Sequence, residues 1–155
     1  MASQSNVNVK PVPDGYSTVT PYLNLKDADK FIEFAKKAFG AEERARMLMP
    51  GGKIGHAEIK IGDSIIMLSE AAFQPHKPGS FFLYVNDVDA AFERAKKAGC
   101  TVDMPVDNQF WGDRFGRLSD SFGNGWAIAT HVEDVAPAEM ERRSVEAMKK
   151  MGEKK

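Results

Sequence analysis

The sequence predicts an α+β domain built from two tandem βαβββ modules, and three observations predict it. The chain contains one segment twice. Tyr22 to Ala38 reads YLNLKDADKFIEFAKKA, and Phe82 to Ala98, sixty residues on, reads FLYVNDVDAAFERAKKA, with eight of seventeen positions identical. In each copy the apolar period changes from two to about 3.6 residues within a few positions, which marks a strand running into a helix. Each copy is then followed by short β-rich stretches broken by glycine turns. Two copies are too few for a solenoid. The repeat therefore points to one pseudo-symmetric domain, residues 16–134, with modules at 16–72 and 78–134. A flexible polar segment, 1–15, precedes it and a charged helical tail, 135–155, follows.

The elements follow in order. Thr18 to Leu25 alternates and reads as a strand. Asp27 sits where a helix N-cap belongs, with Asp29 in the first turn. Ala28, Phe31, Ile32, Ala35, Ala38 and Phe39 form one apolar stripe, and Gly40 ends the helix. Glu43 to Met49 is a second strand, Pro50-Gly51-Gly52 a turn, Lys53 to Ile61 a third strand, and Ser64 to Ser69 a fourth after the turn at Gly62-Asp63. The second module repeats this order. Phe81 to Val85 is a strand, Asp87 caps a helix with the stripe Val88, Ala91, Phe92, Ala95 and Ala98, and Gly99 stops it. Thr101 to Met104 is a short strand and Pro105 to Gly112 a loop. Arg114 to Ser119 and Trp126 to His131 are the last strands, joined by a turn over Ser121 to Gly125. Pro137 to Lys155 reads as a charged helix with Met140, Met148 and Met151 loosely on one side.

Composition narrows the function classes. The formal charge is −1, with 21 basic and 22 acidic residues, so no basic excess points to nucleic acid. No apolar run reaches the roughly 18 residues of a membrane span. The first fifteen residues lack the apolar stretch of a signal peptide. A single cysteine, Cys100, excludes an intramolecular disulfide and fits a reducing compartment, so cytoplasm is the expected location. Cys100 itself reads as a small buried residue rather than a nucleophile.

Several stretches, in this order and spacing, resemble the vicinal oxygen chelate superfamily, and within it the PhnB-like, glyoxalase/bleomycin-resistance branch. They are Thr18 to Leu23 (TVTPYL), Ala38 to Glu42 (AFGAE), Gly55 to Glu58 (GHAE), Gly62-Asp63-Ser64, Phe110 to Arg114 (FWGDR) and Ser119 to Trp126 (SDSFGNGW). Ser121 departs from the pattern, where the family usually has proline. The resemblance implies that the two sheets curve into an open mixed-sheet cup with helices outside and the ligand within. It also implies that many members are homodimers, some completing the cup with a neighbouring subunit.

Metal-using members place His or Glu on the inner face of the first and fourth strands of each module. Carried onto this chain, those positions are Thr20 and Ser80, and Met67 and Ala127. None offers a carboxylate or imidazole, so the usual metal site is expected to be absent and no cofactor is expected. A divalent metal remains as an alternative, held by His56 and Glu58, two apart on one strand face, with His131 at the end of the last strand. A polar strand face with a His–Glu hydrogen bond is the plainer reading of the same residues.

Strand alternation puts Leu23, Leu25, Leu83 and Val85 toward the helices. The opposite face, the candidate lining, then takes Tyr22, Asn24, His56, Glu58 and Met67 from the first module. The second module supplies Phe82, Tyr84, Phe115, Arg117 and His131, with Phe110 and Trp111 in the adjoining loop as a ligand contact or lid. Aromatic faces with a few polar handles suit a small, planar, partly apolar molecule. Arg114 or Arg117 would pair an anionic group, or Arg114 would pair Asp113. Two functions of the cup stay open, beside a third reading in which the cup is decayed and the subunit serves only in assembly. One is sequestration or carriage of such a molecule without a metal. The other is an enzyme of the lyase, isomerase or dioxygenase kind with a rebuilt site in which His56 or Glu58 is the base. A small-molecule partner is expected in either case, with a homodimer, and with neither nucleic acid nor membrane.

Overall fold

The computed structural model describes residues 8–154. Its elements run β1 (Tyr22–Leu25), α1 (Ala28–Phe39), β2 (Glu42–Leu48), β3 (Ile54–Ile61), β4 (Ser64–Glu70), β5 (Ser80–Tyr84), α2 (Val88–Lys97), β6 (Thr101–Asn108), β7 (Asp113–Ser119), β8 (Gly125–His131) and α3 (Pro137–Gly152). The two tandem βαβββ modules are present, each a four-stranded mixed sheet. The strand orders are β1-β4-β3-β2 and β5-β8-β7-β6. β1 is parallel to β4 and β5 to β8, while the other pairs are antiparallel. The parallel pair in each module follows from the helix that separates its first strand from the next three.

One face of each sheet meets the helices. Leu23, Leu25, Ala57, Ile59 and Leu68 of the first module are buried there, as are Leu118, Trp126 and Ile128 of the second. The stripes of α1 and α2 close over these faces with Phe31, Ile32 and Ala35 and with Val88, Phe92 and Ala95. The modules share this core. Trp126 of β8 lies 4.4 Å from Phe39 at the end of α1, 4.6 Å from Phe81 of β5 and 6.4 Å from Phe31, ring centre to ring centre. Phe122, in the turn before β8, receives Phe31 edge-on at 5.6 Å and Phe34 at 5.8 Å. That turn is held by the buried carboxylate of Asp120, which accepts from the Phe122 and Asn124 backbone N–H groups, from Asn124 Nδ2 and from Trp126 Nε1, at 2.8–2.9 Å. A buried indole N–H therefore keeps a partner, as burial requires.

Three sequence expectations need correction. The first strand begins at Tyr22, not Thr18. Thr20 Oγ1 donates to the Ser17 carbonyl at 2.9 Å, which bends the chain locally, and Pro21 has no N–H for a ladder. Asp27 does not cap α1 with its side chain. It adopts a left-handed backbone, φ 59°, and Glu70 at the end of β4 takes over the role. Glu70 accepts from the Asp27 N–H at 3.1 Å and the Ala28 N–H at 3.0 Å. Asp87 does cap α2, accepting from the Ala90 N–H at 3.0 Å. The third correction is β6, which runs on through Pro105 to Asn108. It is the outermost strand of its sheet, and its pairing with β7 shifts register between Met104 and Asp107, so a residue without an N–H fits there.

The tail carries α3, Pro137–Gly152, none of whose residues is buried. It is tied to the second module by Arg143, which donates to the Phe110 carbonyl at 3.2 Å and pairs with Glu133 at 2.8–2.9 Å. Of segment 1–15, residues 1–7 lie outside the described residues and residues 8–15 form neither helix nor strand, while the Tyr16 hydroxyl directly after it donates to Glu58 of β3. No helix among the described residues is long and apolar enough to cross a membrane.

The capping arrangement makes a prediction. Glu70→Ala removes two hydrogen bonds from the start of α1 and is expected to lower unfolding free energy by about 1–2 kcal/mol. Asp27→Asn keeps a residue that tolerates the left-handed backbone and is expected to stay within about 0.5 kcal/mol of the parent. Urea denaturation of both variants checks this, and equal losses would contradict the assignment of the cap to Glu70.

Candidate functional site

The helix-free faces carry the polar and aromatic residues. Register sets their rows, since paired residues on neighbouring strands share a face. In the first module Tyr22 pairs with Met67 and Met67 with Glu58, giving one row across β1, β4 and β3. In the second, Phe82 pairs with Ala127 and Ala127 with Arg117. The rows are equivalent, and in the second module the next row is Tyr84, Ala129 and Phe115, followed by His131 against Asp113.

On the first module, polar contacts link four side chains. Tyr22 Oη lies 3.2 Å from His56 Nδ1. His56 Nε2 lies 3.2 Å from Glu58 Oε1, and the Tyr16 hydroxyl donates to Glu58 Oε2. Asn24 accepts from Ser69 Oγ at 2.9 Å one row on. The hydrogen bond from Tyr16 holds the Glu58 carboxyl below its usual range; burial opposes this, and the His56 contact assists it. The same bond raises the Tyr16 phenol.

On the second module, the β8 positions between the aromatic strands are Ala127 and Ala129. Their small side chains let rings from β5 and β7 meet over β8. Phe82 and Phe115 stack at 5.5 Å, Phe82 and Tyr84 lie 5.0 Å apart, and Trp111 meets Phe115 edge-on at 5.5 Å. Phe110 packs edge-on to Trp111 at 5.2 Å. Phe82 and Tyr84 remain 49% and 65% exposed.

Asp113 anchors the end of this row. It is buried, and it accepts from Tyr84 Oη at 3.0 Å and Trp111 Nε1 at 2.9 Å on one oxygen and from His131 Nδ1 at 2.8 Å on the other. Burial pushes its carboxyl up, but the hydrogen bonds from His131, Trp111 and Tyr84 outweigh this and hold it below the usual range. His131 Nε2 meets Asp134 at 2.8 Å. With a carboxylate on each nitrogen, first Asp113 and then Asp134, the imidazole is raised above its ordinary value of 6.5.

The structure thus gathers Tyr22, His56, Glu58 and Met67 on one face, with Asn24 beside them. It gathers Phe82, Tyr84, Phe115, Trp111, Phe110 and His131 on the other, with Arg117 exposed at the edge of the aromatic row. It does not bring His131 to His56 and Glu58, and no group of three or more His, Cys, Asp or Glu among the described residues is placed to hold a metal. Arg114 is turned away. It makes a two-point ion pair with Asp89 of α2, at 2.8 Å for each bond, and not with Asp113. Cys100 is buried, and its thiol is pushed up to about 12 chiefly by that burial, which leaves it unreactive. Sequence reasoning missed Tyr16, which precedes the first strand, and the role of Asp113. For Asp113 a signal existed, since strand alternation from Phe115 places it on the same face.

A cavity of about 830 Å³ opens between residues 17–21, the start of β4 and β5. It reaches Phe82 and Tyr84 but neither His56 nor Glu58. It runs along the outer edge of β5. Gly79 accepts from Gly125 N–H and Val85 donates to the Ala129 carbonyl, so the odd-numbered residues bond β8, and the backbone groups of Phe82 and Tyr84 point to the open edge.

Comparison with known proteins fits this architecture. The sequence model of the glyoxalase/bleomycin resistance protein/dioxygenase superfamily matches residues 17–128. The chain belongs to that superfamily. An uncharacterised protein of Mycobacterium tuberculosis is 36% identical over 141 residues, covering 83% of this chain and 79% of its own. YjdN of Escherichia coli is 30% identical over 105 residues, covering 63% and 71%. Among solved structures, TioX from Micromonospora sp. ML1 superposes with a TM-score of 0.65 at 25% identity, over 75% of this chain and 99% of its own. TnmS3, an antibiotic-binding protein from Streptomyces, gives 0.57 at 21%, over 75% and 99%.

The Asp113–His131 pair sets a pH dependence for this superfamily member. A raised imidazole contributes stability that is complete below its ordinary value of 6.5 and is lost as pH rises through the raised value. The lowered Asp113 contributes above its ordinary 3.8 and loses that as pH falls through its lowered value. His131→Gln is therefore expected to lower the melting temperature most in the mildly acidic range and progressively less in alkali. Imidazole NMR titration is expected to give a His131 midpoint above 6.5 that drops in Asp113→Asn.

Proposed function

We propose that this protein binds a small, planar, partly aromatic molecule between the helix-free faces of its sheets, as a homodimer, without the divalent metal that other members hold at the first and fourth strands. The observation that carries the reading is the aromatic row Tyr84, Phe82, Phe115 and Trp111. Two of its rings are about half exposed or more, on a sheet whose outer edge is open. A contiguous exposed aromatic surface of this kind is uncommon unless something covers it. Ring faces stack on planar ligands at about 0.5–1.5 kcal/mol per pair beyond burial. The Asp113 network holds Tyr84 and Trp111 in place before any ligand arrives, which limits the ordering cost of binding.

A second copy supports the same geometry. Within one chain the two helix-free faces belong to separate sheets, and the modules are joined through their helix sides. Placing the first module of one copy beside the second module of the other sets a polar face against an aromatic one. Glu58 and Arg117 occupy equivalent places in the two modules, next to Met67 and Ala127 respectively, so opposite charges would line the joined faces. TnmS3, of like fold, is an antibiotic-binding protein, which is the class of ligand this face suits. A lone, buried cysteine accords with a cytoplasmic setting.

Isothermal titration against a panel of planar aromatic compounds, antibiotics included, tests the reading. Binding is expected, and Phe82→Ala and Trp111→Ala are each expected to weaken it about tenfold. Light scattering is expected to return twice the chain mass. Robust turnover with no binding by the panel would sink the proposal. Stoichiometric metal that disappears in His56→Ala would replace it with a metal-dependent enzyme centred on His56 and Glu58.

A further inference from the structure

The polar line on the first module does more than decorate a binding face. Glu58 has a side chain only 12% exposed, and both its oxygens are engaged, one by the Tyr16 hydroxyl and the other by His56 Nε2. Arg44 of β2 is the other charged group near enough to act on it, and it favours the carboxylate as well. A carboxylate against Nε2 places the imidazole proton on that nitrogen, so a neutral His56 presents Nδ1 as an acceptor. Nδ1 faces Tyr22 Oη at 3.2 Å, and the tyrosine must therefore donate. Its only proton points inward. The phenol oxygen, on a residue 46% exposed, has lone pairs alone to offer outward. The face thus shows a ligand an acceptor backed by a base, and that base is backed by a carboxylate. His131 has no such freedom, because both its nitrogens already meet carboxylates.

We propose that the Tyr22–His56–Glu58 line takes the proton of an acidic hydroxyl, phenolic or enolic, on the bound molecule. The inference rests on the binding reading above and names the ligand's chemistry. In the step, the ligand O–H bond breaks and its proton passes to Tyr22 Oη. The proton Tyr22 held moves to His56 Nδ1. The products are a ligand oxyanion, a neutral Tyr22 that hydrogen-bonds it, and an imidazolium between Tyr22 and the Glu58 carboxylate. One proton changes owner, net charge is conserved, and nothing is oxidised or reduced. Tyr16 serves as a positioning residue that keeps Glu58 ionised and aimed at His56.

A matched probe pair tests this: 7-hydroxy-4-methylcoumarin, whose phenol and phenolate fluoresce on different excitation bands, and its 7-methoxy ether, which has no proton to give. Both are expected to bind, the hydroxyl compound about tenfold more tightly. Its phenol is expected to ionise in the complex with a midpoint lowered by about one pH unit from free solution. At saturating probe, Tyr22→Phe, His56→Gln and Glu58→Gln are each expected to abolish the lowering, and cooperative thermal unfolding read from the near-ultraviolet signal of the buried Trp126 shows that each variant folds. A bound phenol that titrates as it does in water overturns the proposal alone. So does a lowering that survives His56→Gln. Failure of both probes to bind the parent protein overturns this proposal together with the reading of the cup.

Discussion

Trp126 is the residue on which the rest of the structure depends. Its indole lies on the helix side of the second sheet, yet two of its neighbours, Phe31 and Phe39, come from the helix of the first module. Burying it fully takes both modules, and its N–H takes Asp120, which also shapes the turn that delivers Phe122 to the same cluster. An aromatic of this size gives its full apolar burial only when every side is filled. Because the modules meet through their helix faces, the opposite faces of both sheets are left free of core duty. Residues there are free to be exposed aromatics, a buried carboxylate with three donors, or a hydrogen-bonded line ending in a phenol.

Each free face solves one problem in a different way. The second module trades side-chain size along β8. Alanines at 127 and 129 open the space over which Phe82 and Phe115 stack, so the aromatic row is continuous although its rings come from different strands. The first module keeps Met67 at the equivalent place and carries polarity on β3 instead. The faces are thus related by the repeat in backbone and unrelated in chemistry.

Much of the fold was legible because period and punctuation survive in both copies. The stripes of α1 and α2, the stop at Gly40 and the alternation of Leu23 and Leu25 against Tyr22 and Asn24 all read directly from residue order. The misreadings have one cause, which is a partner distant in sequence. Nothing local to Asp27 shows that Glu70, forty-three residues on, occupies the cap. Nothing in Met104-Pro105-Val106 shows that the strand lies at a sheet edge, where proline is tolerated. The faces of most candidate residues were legible from alternation. Their partners were not, since Tyr16 reaches Glu58 across forty-two residues and Tyr84 reaches Asp113 across twenty-nine.

The irregularities of β2 and β6 carry a consequence beyond pairing. These two strands are the outermost of their sheets, and both shift register twice, β6 with a proline inside it. The open side of β1 is partly taken by Lys77, bonded both ways to Asn24. Among the described residues β5 alone presents a regular stretch of unbonded backbone. A strand needs an even ladder to recruit another, so a chain with one even ladder has nowhere to pass growth onward once that ladder is met. Strand pairing at β5 would end in a closed pair rather than an open fibre.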